Sequence, residues 1–200
     1  MTDSIRLFSC TRAIAALLGA LACTAANAET LYQVEILVFK QPGAPVSDEV
    51  WQPVDAVKPP ATDGTVKATG AIPDTSPLRA AQQALGAAGG YSVLAHQSWT
   101  QTAAARASAT PVRVQGDNPD NPRELDGSAR LYSNRNLYLE LDLALEGADP
   151  NAGFMERLSA GDKPVQFRLK ETRRVSTRET VYFDHPMFGA LVRVTPMGDK

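Results

Sequence analysis

Three scarcities bound what this 200-residue chain can be. It holds only two cysteines, only two histidines, and no apolar run near the ~20 residues that cross a bilayer as a helix. Charge of one sign is lacking as well: 20 basic against 22 acidic residues give a net of −2, so no cationic field exists to hold a phosphate backbone. A nucleic-acid binder and a permanent membrane span are therefore not expected. The imidazoles are His96 and His185, so a zinc centre would need carboxylate ligands at separations that no motif sets. What is abundant is ordinary: 44% hydrophobic and 21% charged residues exclude wholesale disorder and fit a globular chain.

The amino terminus stands apart. Arg6 and Arg12 precede an apolar run from Ala13 to Ala22, and Ala26, Asn27 and Ala28 place small residues at a cleavage site, so residues 1–28 read as a secretory signal peptide. Both cysteines, Cys10 and Cys23, lie inside it, and a mature chain from Glu29 has no thiol for disulfides or thiolate metal sites. The alternative is a lipid anchor: Ala20, Leu21, Ala22 and Cys23 loosely resemble a lipoprotein box, which would leave Cys23 as the modified first residue. Cleavage after Ala28 removes Arg6, Arg12 and Asp3, leaving 18 basic and 21 acidic groups.

In the remainder, Tyr32, Val34, Ile36 and Val38 alternate with Gln33, Glu35 and Leu37 as in a strand with one buried face. Prolines and glycines from Gln41 to Ile72 predict a long loop. Ser76 suits a helix N-cap, Pro77 the first helical position, and Leu78, Ala81, Leu85 and Ala88 one apolar face before Gly89 and Gly90. Tyr91, Val93, Ala95 and Trp99 are expected on one face of the next strand, followed by a surface excursion from Thr102 to Glu124. Leu137, Leu139, Leu141, Leu143 and Leu145 alternate with Tyr138, Glu140, Asp142 and Ala144, the strongest strand signal. Ala129 to Tyr132 reads as its hairpin partner, Val165 to Leu169 and Ala190 to Val194 as further strands, and Phe154 to Leu158 as a short helical turn. The expected fold is α+β: one domain over 29–200, with one antiparallel-rich sheet, one main helix packed on a face, and long Pro-rich loops.

Chemistry-bearing residues concentrate near the carboxy terminus. Lys163, Arg168, Lys170, Arg173, Arg174, Arg178 and Arg193 outnumber Glu171, Glu179 and Asp184 between 163 and 193, a local charge of +4. Arginine forks bind carboxylates in two-pronged fashion, so Arg173, Arg174 and Arg178 are candidate anion-binding residues; equally, a charged hairpin keeps a strand surface soluble and blunts an edge. The inward alternation of Val165, Phe167 and Leu169 carries on to Glu171 and Arg173, so either the strand overruns the core or a partly buried polar site forms. Asp184 and His185 precede Pro186 in a turn where the carboxylate could orient the imidazole. A hydrolase would also need a nucleophile, and neither Ser176 nor Thr180 lies in a recognisable elbow. Trp99 reads as core, or as a sugar-stacking face with Gln97 or Gln101 bonding hydroxyls.

Arg173-Arg174, Val181-Tyr182-Phe183-Asp184-His185-Pro186-Met187-Phe188-Gly189, the upstream run Gly90 to Trp99, and Tyr32 to Phe39 together resemble the CsiV family. These are exported envelope proteins of Gram-negative bacteria described as peptidoglycan-binding. The resemblance implies a noncatalytic periplasmic protein without a cofactor. It also implies a role in wall synthesis and cell shape beside a class A penicillin-binding protein and its lipoprotein activator. The candidate ligand-binding set is then Arg173, Arg174, Arg178, Asp184, His185 and Trp99. The alternative is a protein–protein adaptor of the envelope that never touches the wall polymer.

Overall fold

The computed structural model describes residues 30–42, 51–54, 58–118, 120–121, 123–153 and 164–198. The expected leader with Cys10 and Cys23, the turn expected at Phe154 to Leu158, and Lys163 lie outside the described residues.

The expected α+β fold, one sheet under one main helix, is corrected by the structure. Among the described residues strand dominates, 53% against 9% helix, and the strands divide between two sheets. The first sheet holds β1 (Leu31–Lys40), β4 (Ser92–Thr102), β9 (Thr180–His185) and β10 (Phe188–Met197) in the order β4-β1-β10-β9, all antiparallel. The second runs β2-β8-β7-β6-β5-β3, where β2 is Gln52–Pro53, β3 Val66–Lys67, β5 Val112–Gln115, β6 Leu125–Asn134, β7 Asn136–Ala148 and β8 Pro164–Arg174. Helix α1 (Pro77–Ala88) lies on β1 and β4.

The correction has a physical cause. The leucine face of β7 needs a continuous apolar cover, and a helix of 12 residues is too small to supply it. Leu139, Leu141 and Leu143 instead share one core cluster with Val34, Ile36 and Val192 of the first sheet, so sheet packs on sheet. The helix takes the opposite face of the first sheet. Consequently β1 is buried on both faces, from Val34 through Phe39, where the alternation promised one.

Several local expectations hold. Ser76 caps α1 by accepting the Leu78 N–H at 3.0 Å, Pro77 follows it, and Gly89 and Gly90 end the helix at φ of 71° and 81°. Strands β6 and β7 form the expected hairpin, with the reversal at Arg135, whose φ is 60°, rather than at Ser133 and Asn134. In β4 a bulge changes the faces: Val38 pairs with Ala95 but Phe39 with Val93, leaving Leu94 as an extra residue. Leu94 joins Ala95 and Trp99 in the core, while Val93 turns to the opposite face.

Helix and sheet are joined by a buried polar cluster. Glu35 accepts the Ser76 hydroxyl, whose oxygen lies 2.6 and 2.7 Å from the two carboxylate oxygens, and meets His96 Nε2 at 2.8 Å. His96 Nδ1 faces Gln82 Oε1 on α1 at 2.6 Å. Breaking such a pair leaves a buried polar group unanswered. Glu35→Ala and His96→Ala are each expected to cost about 3 kcal/mol in urea unfolding. The double variant should cost less than the two losses summed; full additivity would show that the pair is not coupled.

Candidate functional site

Register decides where the carboxy-terminal charges go. Glu171 pairs with Leu141 and Arg173 with Leu139, so both lie on the core-facing side of β8, at the margin of a core that takes up Val175 beyond them. Their charges are used locally. Arg173 bonds Glu171 through Nε, donates from a terminal nitrogen to the Tyr182 carbonyl at 2.8 Å, and holds its guanidinium 5.2 Å from the Phe183 ring centre. It thus ties β8 of one sheet to β9, an edge strand of the other.

Arg174 faces the opposite way, across from Tyr138, which stacks on Tyr132 at 5.4 Å. Arg178 stands in the β8–β9 connection with φ of 64°, its N–H bonded to the Val194 carbonyl at 2.7 Å. Both side chains are exposed, and neither forms an ion pair with a described residue.

The Asp184 and His185 side chains diverge to opposite faces of β9. His185 turns inward among Phe188 at 4.9 Å, Trp51 at 5.7 Å and Phe167 at 6.3 Å, and its Nδ1 accepts the Met187 N–H at 3.1 Å. Asp184 points outward. Trp99 is 2% exposed, on strand β4 at the far edge of the same sheet, with its indole N–H donated to Gln101. Gln101 in turn donates to the Leu131 carbonyl and Gln97 to that of Gln115, so these amides serve the protein itself. The six residues expected together do not share one surface.

The structure brings together a different group around Asp184. Across the first sheet Phe39, Gly189 and Asp184 lie in one row, and the missing side chain of Gly189 lets two rings close over it. A Cβ there would stand 2.6 Å from the Tyr182 ring and 3.0 Å from that of Phe39. Phe39 stacks nearly parallel to Tyr182 at 6.2 Å and meets Tyr91 edge-on at 5.9 Å. Tyr91 and Tyr182 remain 36% and 39% exposed, forming an aromatic ledge.

Its rim is polar. The Tyr182 hydroxyl donates to Asp184 Oδ1 at 2.5 Å, and the Gln41 amide donates toward Tyr182 Oη, Asp184 Oδ1 and the His185 carbonyl at 3.0 to 3.1 Å. Tyr91 and Tyr182 lie in two separate runs of the sequence, and only strand pairing brings both against Phe39, so spacing gave no signal for the group.

A second open surface lies on the outward face of the larger sheet, a cleft of about 540 Å³ lined by Arg106, Ser128, Arg130, Glu140, Asp142 and Lys170. Its charges mostly answer one another. Arg168 holds Asp142 by two bonds of 2.8 Å, and Arg106 holds Glu140 at 2.7 Å.

Partial burial, then the hydrogen bond to Asp184, pushes the Tyr182 phenol well above its ordinary pKa of about 10. A group raised on folding contributes stability that is intact below that ordinary value and lost as pH climbs through the raised one. Ultraviolet titration should therefore show one tyrosine ionising above the ordinary range, and Asp184→Asn should move it downward. An unmoved titration would mean that the carboxylate does not hold the phenol.

Among the described residues no helix is long and apolar enough to cross a membrane. Neither the curated proteins nor the solved structures yield a match. A family model described as "Peptidoglycan-binding protein, CsiV" matches residues 67–197, well over half of the chain, including α1, both exposed tyrosines of the ledge and Asp184. The chain belongs to the CsiV family.

Proposed function

We propose that this protein is exported to the periplasm and binds peptidoglycan without catalysing its turnover. In this reading it supports wall synthesis and cell shape beside a class A penicillin-binding protein and its lipoprotein activator. The family match over 67–197 carries the reading. The divergence of Asp184 and His185 favours binding over hydrolysis, because a base and its orienting carboxylate must share a hydrogen bond. Peptidoglycan combines sugar chains with stem peptides that end in carboxylates. Arg174 and Arg178, both exposed and four residues apart at the corner made by the end of β8 and the β8–β9 connection, suit those carboxylates. Arg173 acts instead as a clasp between the sheets.

Purified protein is expected to co-sediment with isolated sacculi at low salt and to remain partly bound at physiological ionic strength, where exposed charge attraction alone is screened beyond about 8 Å. Failure to sediment at low salt overturns the reading. Replacing Arg174 and Arg178 together by Glu should weaken sedimentation several-fold and flatten its salt dependence. If sacculus binding is intact in that variant while a synthase or activator no longer associates, the corner is a protein-docking surface and the adaptor alternative is favoured.

A further inference from the structure

The peptidoglycan reading leaves open which part of the polymer meets which part of the fold, and the ledge on the smaller sheet is suited to one component. Its centre is apolar: Phe39, buried beneath the surface, lies nearly parallel to Tyr182 and edge-on to Tyr91 at about 6 Å, and both tyrosines keep more than a third of their surface in water. Its rim is polar and fixed. Gln41 and the Tyr182 hydroxyl converge on Asp184 Oδ1, whereas the described residues place no hydrogen bond on Asp184 Oδ2. Helix α1 sits on β1 and β4, so the row from Phe39 to Asp184 across β10 and β9 is not roofed by it.

This combination discriminates among ligands. A purely aliphatic partner would cover the Asp184 carboxylate without bonding it, which is costly for a charge. An anionic partner, including a stem-peptide carboxylate, would meet that same charge unfavourably. A pyranose has an apolar C–H face that packs on an aromatic ring and hydroxyls at its edge that donate to a carboxylate. Two exposed tyrosines on either side of Phe39 offer stacking positions for more than one ring.

We propose that Tyr91 and Tyr182, backed by the buried Phe39 and with Asp184 and Gln41 at their edge, form a carbohydrate subsite that stacks the apolar faces of pyranose rings in an uncharged stretch of glycan strand. The subsite rests on the peptidoglycan reading and refines it. The sugar backbone lies on the ledge along edge strand β9, while peptide carboxylates are met elsewhere. Gly189 is a positioning residue in this arrangement, because only its bare backbone lets Tyr182 and Phe39 lie together.

The test separates polymer from sugar. Full-length mature protein is assayed for sedimentation with intact sacculi, and for binding to a neutral peptide-free glycan, a soluble β-1,4-linked N-acetylglucosamine oligomer, beside stem peptides released by an amidase. The wild type is expected to bind sacculi and peptide-free glycan. Tyr182→Ala and Tyr91→Ala should each weaken glycan binding about tenfold, with Asp184→Asn acting in the same direction. Tyr182→Phe keeps the ring over Gly189 and should retain most of the affinity, which guards against loss through misfolding; circular dichroism and thermal melting accompany each variant. Binding to sacculi but not to peptide-free glycan overturns the subsite and leaves the peptidoglycan reading standing. So does unchanged glycan binding in folded Tyr91→Ala and Asp184→Asn. Absence of binding to intact sacculi by the wild type overturns the peptidoglycan reading and removes the subsite with it.

Discussion

The apolar contact between the inner faces of two sheets is the constraint from which the other features follow. Leu139, Leu141, Leu143 and Phe167 on one side and Val34, Ile36, Val192 and Val194 on the other share one cluster, with most members wholly removed from water. Burial on this scale dominates the favourable side of folding, since each large aliphatic side chain contributes roughly 1.5–3 kcal/mol on leaving water. Once the faces are matched, side-chain parity along each strand is set. The outward positions then take most of the polar chemistry, and the helix is left to cover the remaining apolar patch on β1 and β4.

That division explains why charged residues adjacent in sequence end in different settings. Arg173 and Arg174 are neighbours, yet one clasps the edge of the opposing sheet and the other stands over the outward face of its own. Asp184 and His185 separate for the same reason, one to the rim of an aromatic ledge and one among aromatic rings inside. A period of two turns any pair of adjacent residues into opposite faces. A catalytic or binding pair read from consecutive positions in a strand is thereby suspect unless a bulge intervenes.

Much of the fold was legible because strands announce themselves locally. The leucine alternation of β7, the capped helix after Ser76 and the hairpin preceding Leu137 all rest on spacing within a few residues. What spacing does not contain is which strand pairs with which. The division into two sheets depends on β1 pairing with both β4 and β10, contacts between residues far apart in the chain. The bulge at Leu94 is equally invisible, since it depends on the partner strand and on Asp117 receiving and supplying bonds around it. The candidate site suffered from both. Trp99 was recognisably core or surface only once its sheet was known, and the tyrosine ledge exists because Gly189 falls between two strands whose pairing is nonlocal.

The pairing of β1 with β10 also sets the order in which the chain can reach its final form. Leu31 lies opposite Met197, so the first described strand finds its central neighbour only in the last one. Strands β6, β7 and β8 are joined through nearby segments and can meander into a sheet early, whereas closing the loop between β1 and β10 carries the entropy of bringing distant ends together. During synthesis β1 emerges before β10 and must wait, apolar on both sides, until that strand is free. The smaller sheet is therefore the late-closing half of the molecule, and its unfinished state is the one most in need of protection from premature association.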